Sequence, residues 1–222
     1  MKLVEILNKF NLDSDFLNEG YTEGGTDKNS YHSYIENFYE KEFEPYKESK
    51  IDLLEIGIET GGSLKLWKEY FLNSKSVVGV DISDEKIDQR YKNIDGIIMH
   101  FGDAYDEKFS KKFKQFDIII DDASHIYSDM LNNFKNFFKK VKPGGFYVIE
   151  DFNHYKYYSH LNDSSSVSLE IEEIFEHLKS RQIFKSNILD DDFQHYCFNN
   201  ISEIAMHKGI QNDSYIAFIK KK

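Results

Sequence analysis

Short apolar runs alternate with amphipathic segments along most of the chain after residue 50. The runs are rich in Ile, Val and Phe and are bounded by Gly, Asp or Asn, which is typical of strands connected through helices in a largely parallel sheet. The predicted strands are Ile51–Ile56, Val77–Ile82, Ile97–Phe101, Phe116–Ile120, Phe146–Ile149, Ile201–Lys208 and Tyr215–Ile219. The predicted helices, on both faces of the sheet, are Leu64–Phe71, Glu85–Tyr91, Glu107–Phe113, Ser128–Lys140 and Leu169–Ser180.

The two ends of the chain differ from this alternation. Residues 1–50 are predicted to be a mostly helical segment that packs on the core through a stripe of apolar side chains, namely Tyr31, Tyr34, Ile35, Phe38, Tyr39 and Phe43. Residues 51–222 then form the sheet domain, and the last two strands form a hairpin. The polar stretch Phe152–Val167 has no periodicity, so we predict a loop that could cover a site. The prediction is an α/β fold of one domain overall.

Composition narrows the function. The formal net charge is -11 and no stripe of Lys or Arg occurs, which disfavours nucleic acid as a partner. No apolar stretch approaches membrane-spanning length. Cys197 is the single cysteine, so we expect neither a disulfide framework nor a cysteine-based zinc site. The N-terminus is charged and amphipathic, unlike a signal peptide, and we expect a cytoplasmic protein.

The first predicted strand ends in Glu55 and enters a glycine-rich turn with Gly57, Gly61 and Gly62, followed by Ser63 and a helix. Glycines let the backbone pass close to a ligand, and the free amides at a helix start attract an anion. The spacing is not G-x-G-x-x-G, which weakens a dinucleotide-binding interpretation. A tight strand-to-helix connection without a ligand is the structural alternative.

Two further predicted strands end in acids, at the same edge of the sheet as this turn. Asp81 ends the second strand a little over 20 residues after the turn, where an acid commonly binds ribose hydroxyls. Asp103 follows the third strand. The turn pattern E-x-G-x-x-x-G-G-S resembles motif I of the class I S-adenosylmethionine (SAM) methyltransferases, in which the position of Asp103 faces the adenine. The predicted cofactor-binding residues are Glu55, Gly57, Gly61, Ser63, Asp81, Asp103 and Asp121.

A second group of acids follows the fourth and fifth strands. Asp122 ends the first of these strands, and Glu150 and Asp151 end the second. Because neighbouring parallel strands end at the same edge, we expect these carboxylates to meet beside the cofactor. Three hard oxygen ligands suit Mg²⁺ or a similar divalent cation, which would also relieve their repulsion. Solvated acids at strand ends are the alternative.

His125 comes three residues after Asp122, on the turn that leaves the fourth strand. An imidazole titrates near neutrality and can accept a hydroxyl proton during methyl transfer, so His125 is the candidate catalytic base. A structural histidine is the alternative. His32, His154 and His160 are weaker candidates, because the sequence does not fix their distance from the reacting centre.

Several motifs together resemble the metal-dependent sugar O-methyltransferases of macrolide biosynthesis. They are Gly25-Thr26-Asp27-Lys28 with His32 and Tyr34, then E-I-G-x-x-x-G-G-S-L, D-D-A-S-H and V-I-E-D. The resemblance implies a Rossmann-like, seven-stranded sheet whose last strand is antiparallel. It also implies that Asp122, Glu150 and Asp151 bind Mg²⁺ and that His125 is the base. Ala123 departs from the usual D-D-G-S-H. Family members with macrolide substrates carry a long additional N-terminal domain, so we expect a smaller acceptor here.

The resemblance implies SAM-dependent methylation of a sugar hydroxyl, on a nucleotide-linked or small glycosyl substrate in bacterial polysaccharide or natural-product biosynthesis. A catechol-type O-methyltransferase, a nicotinamide-dependent oxidoreductase and a catalytically silent SAM-binding protein are the alternatives. The sequence leaves open the sugar, the hydroxyl and the oligomeric state, a homo-oligomer included. It also leaves open the roles of Thr26, Asp27, Lys28 and His32.

Overall fold

A computed structural model describes residues 1–14, 22–163 and 169–222. In this part of the chain, seven strands form one sheet in the order β3-β2-β1-β4-β5-β7-β6, with β7 antiparallel to both of its neighbours. The strands are β1 Asp52–Ile56, β2 Ser76–Asp81, β3 Ile97–Phe101, β4 Phe116–Asp121, β5 Val141–Glu150, β6 Ile201–Lys208 and β7 Tyr215–Lys221. The predicted sheet, with an antiparallel final strand, is therefore confirmed.

Helices cover both faces of this sheet. They are α1 Leu3–Phe10, α2 Glu40–Phe43, α3 Gly62–Tyr70, α4 Glu107–Ser110, α5 Tyr127–Phe137, α6 His154–Tyr157, α7 Ile171–Ser180 and α8 Asp191–Asn200. A π-helical turn, Ile35–Tyr39, leads into α2, and short 3₁₀ turns follow α2, α5 and α6. No helix in the described ranges is long and apolar enough to cross a membrane.

Alternate strand residues point to opposite faces, and this divides the core in two. Leu53 and Val77 belong to one buried cluster, with side chains of α1, the π-helical turn and α3. Leu54 and Val78 belong to the other, with side chains of α5, α7 and α8. Strands that are apolar at consecutive positions are thus buried on both sides, as parallel sheets usually are.

Two predicted elements were wrong and one helix was missed. The segment Glu85–Tyr91 forms turns instead of a helix, because the backbone amide of Asp88 donates to the carbonyl oxygen of Thr60 at 3.0 Å and fixes the segment to the glycine turn. Helix α8 was not predicted, although Asp190 caps it by accepting from the amide of Phe193. The segment Phe152–Val167 contains α6, and residues 164–167 lie outside the described ranges.

The N-terminal segment runs over the carboxyl ends of the central strands. Tyr91 donates a 2.7 Å hydrogen bond to the carbonyl oxygen of Gly24, and Thr60 donates one of 3.2 Å to that of Gly25. A Cβ on Gly62 would lie 2.4 Å from the same Gly24 oxygen, so the segment lies directly on the start of α3. This docking brings Asp27 and Lys28 to the edge where the predicted site residues meet.

Candidate active site at the carboxyl ends of the strands

A cavity of about 630 Å³ lies at the carboxyl ends of β1, β2 and β4. Gly25, Thr26 and Asp27 of the N-terminal segment form one wall. The lining includes six of the residues predicted to bind cofactor or metal or to act in catalysis, namely Gly57, Ser63, Asp81, Asp103, Asp122 and His125. The fold therefore brings the glycine turn, three of the strand-end acids and the candidate base to one space.

The glycine turn is shaped by close backbone packing. Gly57 has a φ of +83°, and a Cβ there would lie 2.0 Å from the carbonyl oxygen of Asp122, so only glycine fits. Asp81 holds the turn from below, because its Oδ2 accepts the amides of Ile58 and Glu59, each at 3.0 Å. Asp81 thus fixes the turn and still lines the cavity.

Three predicted cofactor-binding residues do not line the cavity. Asp121 points to the α5 face, where its carboxylate accepts from Asn133 at 2.9 Å and from Tyr147 at 2.6 Å. Burial raises the pKa of Asp121 to about 7 despite these bonds. Glu55 points to the opposite face and accepts from Ser63 and Trp67. Gly61 is the N-cap residue of α3, with a φ of +92°. These positions support the sheet and the turn from outside the cavity.

Lys28 lies against two of the three predicted metal ligands, Asp122 and Glu150. Its ammonium lies 2.5 Å from Asp122, 2.8 Å from Glu150 and 3.3 Å from Glu55, and its side chain is 1% exposed. Burial alone would lower the pKa of Lys28, but the surrounding carboxylates hold it well above its usual range. Tyr39 adds a 2.5 Å hydrogen bond to Glu150. We call Lys28, Glu55, Asp122 and Glu150 the lysine cluster.

Asp151 faces a different set of side chains. Tyr34 donates to its Oδ1 at 2.5 Å, and ring nitrogens of His154 and His32 lie 3.3 and 3.4 Å from its oxygens. Burial raises the pKa of Asp151 to about 7, although His32 opposes the shift. Burial alone would lower the pKa of His32, but Asp151 and Asp27 raise it to about 9, so His32 carries a charge at neutral pH.

The charges at this edge favour a cation. Five carboxyl groups, from Asp27, Glu55, Asp122, Glu150 and Asp151, contact only Lys28 and His32 as charged partners in the described ranges. Lys28 and His32 therefore relieve part of the repulsion between the acids, which a metal ion alone was expected to relieve. An excess of negative charge nevertheless persists when the acids are ionised.

The predicted metal ligands fit a hard cation in part. Glu150 Oε2 is buried and has no hydrogen-bond partner among the described residues, so it is available as a ligand. Asp122 Oδ1 lies 3.7 Å from His125 Nε2, while Oδ2 is paired with Lys28. Among the described residues, His125, Asp151 and His154 each place one ligand atom within 4.8 Å of the others, whereas Asp122, Glu150 and Asp151 as a set do not.

His125 lines the cavity beside Asp122. It has a φ of +56°, a conformation that non-glycine residues adopt rarely and often at functional sites. Burial lowers its pKa to about 4, so the imidazole is neutral at physiological pH and can accept a proton. Its ring centroid lies 5.0 Å from that of His154.

Sequence reasoning missed the roles of Lys28, His32, Tyr34, Tyr39 and His154. A signal existed for the first three, because they belong to the motif that begins at Gly25, but its place in the fold was unknown. Tyr34 and Tyr39 were predicted only as packing residues. Both are buried, and their hydroxyl groups bind Asp151 and Glu150.

Comparison with known proteins identifies the family. A model of the methyltransferase domain matches residues 31–205. The chain belongs to this methyltransferase family. Family membership removes the nicotinamide-dependent oxidoreductase as an alternative.

Curated relatives of this methyltransferase agree with the motifs. The 8-demethyl-8-alpha-L-rhamnosyl tetracenomycin-C 2'-O-methyltransferase of Streptomyces olivaceus is 35% identical over 135 residues, covering 57% of this chain and 35% of the relative. The mycinamicin VI 2''-O-methyltransferase of Micromonospora griseorubida is 34% identical over 123 residues, covering 51% and 30%. This chain thus spans about a third of the length of these relatives. The resemblance to sugar O-methyltransferases is confirmed.

A solved structure shares the fold. The MycE methyltransferase of the mycinamycin biosynthetic pathway, in complex with Mg and SAH, superimposes with a TM-score of 0.72 at 24% identity. The match covers 100% of this chain and 55% of MycE. The Rossmann-like methyltransferase fold is therefore confirmed.

Proposed function

We propose that this methyltransferase transfers the methyl group of SAM to a sugar hydroxyl. The observation that carries the proposal is one cavity, of about 630 Å³, that joins the Gly57 turn and Asp81 to the neutral imidazole of His125. The cavity provides space for the methyl donor, and His125 provides an acceptor for the hydroxyl proton at the same edge. The curated relatives, all named as O-methyltransferases, support the reaction type.

Each lining residue has a proposed task. The turn from Gly57 to Ser63 holds the methionine end of SAM, Asp81 accepts hydrogen bonds from the ribose, and Asp103 accepts one from the adenine amine. His125 then takes the proton as the hydroxyl attacks the methyl group. Positioning contributes much of the rate, because the sulfonium is already a good leaving group.

The proposal includes a divalent cation, which Asp122, Glu150 and Asp151 would hold through carboxylate oxygens. Such an ion would polarise acceptor hydroxyls and lower their pKa. The excess of acids over cations and the unpartnered Glu150 Oε2 support this part. Lys28 and Tyr39 hold Glu150 in place, and Tyr34 and His32 hold Asp151.

The acceptor is proposed to be a nucleotide-linked sugar or a small glycoside, in polysaccharide or natural-product biosynthesis. Its support is the names of the relatives, which methylate the sugars of glycosylated natural products. A cytoplasmic location, a homo-oligomeric state and the absence of a nucleic-acid partner stay predictions.

The test is methyl transfer from SAM labelled in its methyl group. Three acceptor sets are compared: nucleotide sugars, glycosylated macrolides and catechols, each with Mg²⁺ and with EDTA. We expect label in a sugar acceptor, with Mg²⁺ required. Transfer to catechols alone would replace the sugar proposal with the catechol alternative. Full activity in EDTA would show that no metal ion is required. The acids would then serve only in the lysine cluster and its neighbouring contacts.

A further inference from the structure

Two imidazoles and one carboxylate meet beside the cavity, in a group that differs in chemistry from the predicted acid ligands. Among the residues that the structure describes, His125, Asp151 and His154 place one ligand atom each within 4.8 Å of one another. We call this group the histidine triad. His154 was only a weaker candidate in the sequence, and it comes from the start of α6.

The triad has two features of a cation site. His154 Nε2 is buried and has no hydrogen-bond partner in the described ranges, although it lies 3.3 Å from Asp151 Oδ1. A buried polar atom without a partner is costly, and a bound ion would satisfy it. Ligand atoms around a tetrahedral zinc are about 3.4 Å apart, given metal–ligand bonds of about 2.0–2.2 Å. The His154–Asp151 separation already fits this geometry.

Partners around the triad orient its ligands. Tyr34 donates to Asp151 Oδ1, and a hydrogen bond to the backbone of Glu150 holds the His125 ring. Metal-binding residues usually have such second partners, which fix the ring or carboxylate. His125 and Asp151 both have a positive φ, at 56° and 53°, a backbone conformation that non-glycine residues adopt rarely and often at functional sites.

Ligand chemistry decides which cation fits. Magnesium prefers oxygen ligands, whereas imidazole suits Zn²⁺, Co²⁺ and related transition-metal ions. We propose that His125, Asp151 and His154 form a binding site for a transition-metal dication, separate in ligand type from the magnesium site. With three protein ligands, a bound ion would also be able to take up water or an acceptor oxygen.

Occupancy has a consequence that rests on the proposed function. A nitrogen of His125 that binds a metal ion cannot accept the hydroxyl proton, and Asp151 cannot serve two cations fully. Zn²⁺ or Co²⁺ in the triad should therefore inhibit methyl transfer and compete with Mg²⁺.

The experiment is titration of the metal-free protein with Co²⁺, followed by its visible absorption, which reports nitrogen ligation and coordination number directly. We expect one Co²⁺ per chain and a loss of affinity of more than tenfold in His154→Ala. The matched control is His160→Ala, because His160 lies six residues further along, is exposed and is outside the triad. SAH binding by each variant confirms that it is folded.

Two outcomes separate this inference from the proposed function. If His154→Ala binds Co²⁺ as tightly as the parent, the triad is not the site, whatever the methyl-transfer assays show. If the parent binds Co²⁺ through the triad but methylates no sugar, the proposed function fails and the metal site stands. Undiminished methyl transfer with Co²⁺ bound would overturn the inference that an ion in the triad inhibits the reaction.

Discussion

Lys28→Met tests the buried lysine cluster most severely. Methionine is one heavy atom shorter than lysine but has a similar volume, so the substitution removes the charge and leaves little cavity. The ammonium lies within 3.3 Å of three carboxylates, and no solvent can replace it, since Lys28 is 1% exposed and Glu55 and Glu150 are 0% and 1% exposed.

The magnitude follows from these contacts. Removing one partner of a buried ion pair costs about 3–5 kcal/mol, because the remaining charge is left without compensation. Tyr39 still donates to Glu150, and Ser63 and Trp67 still donate to Glu55, so we expect the lower end, about 3 kcal/mol. Burial and Asp122 already raise the pKa of Glu150. Without Lys28, Glu150 binds a proton more readily in the folded state. The loss of unfolding free energy in Lys28→Met should therefore become smaller as the pH falls.

Urea unfolding measures the loss, with the fluorescence of Trp67 as the signal. Trp67 is the single tryptophan and donates to Glu55 inside the cluster, so it reports on this region. The matched control is Lys111→Met, which removes an ion pair with Glu107 whose side chains are 65% and 70% exposed. An exposed pair contributes about 0–1 kcal/mol. A Lys28→Met deficit no larger than that of the control would refute the reasoning.

Two further substitutions test other parts of the molecule. His125→Ala should lower kcat by about 10²–10⁴-fold in single-turnover methyl transfer while SAH affinity is retained, and a rate within a few-fold of the parent would remove it as the base. Burial alone would raise the pKa of Asp52, but Lys114, Lys142 and Ser76 lower it to about 2. The lowered pKa of Asp52 contributes to the free energy of unfolding. This contribution is fully present above the pKa that Asp52 has in the unfolded chain, and it is lost as the pH falls toward 2. Asp52→Asn should thus lose about 1–2 kcal/mol at pH 7, with a smaller deficit near pH 3. An equal loss of unfolding free energy at pH 7 and near pH 3, measured by urea unfolding, would contradict this link between the pKa of Asp52 and stability.

The sheet could be predicted because each strand is an apolar run with a clear boundary. The strand-end residues Asp81, Asp103 and Asp122 reach the cavity because parallel strands end at one edge, a rule that needs only sequence. Neighbouring positions were harder. Asp121 precedes Asp122 by one residue and therefore points to the opposite face, into the core beside Tyr147.

Contacts between distant segments could not be predicted. Lys28 and Glu150 are 122 residues apart, and nothing in the spacing of either residue indicates that they meet. The turn conformation of Glu85–Tyr91 depends in the same way on contacts with Thr60 and Gly24, which outweigh a helical pattern. Helix α8 has a capping aspartate but a mixed pattern of polar and apolar residues, so its sequence signal is weak.

Calorimetric titration with SAH tests most directly whether the cavity binds the methyl donor. We predict one SAH per chain and no binding of NADH. Asp81→Asn should weaken SAH binding by about 10- to 100-fold through loss of charge-assisted hydrogen bonds. Asp84→Asn, at a 59% exposed position three residues away that pairs with Lys92, should leave binding unchanged. No SAH binding by the parent, or equal affinity in Asp81→Asn, would contradict the account.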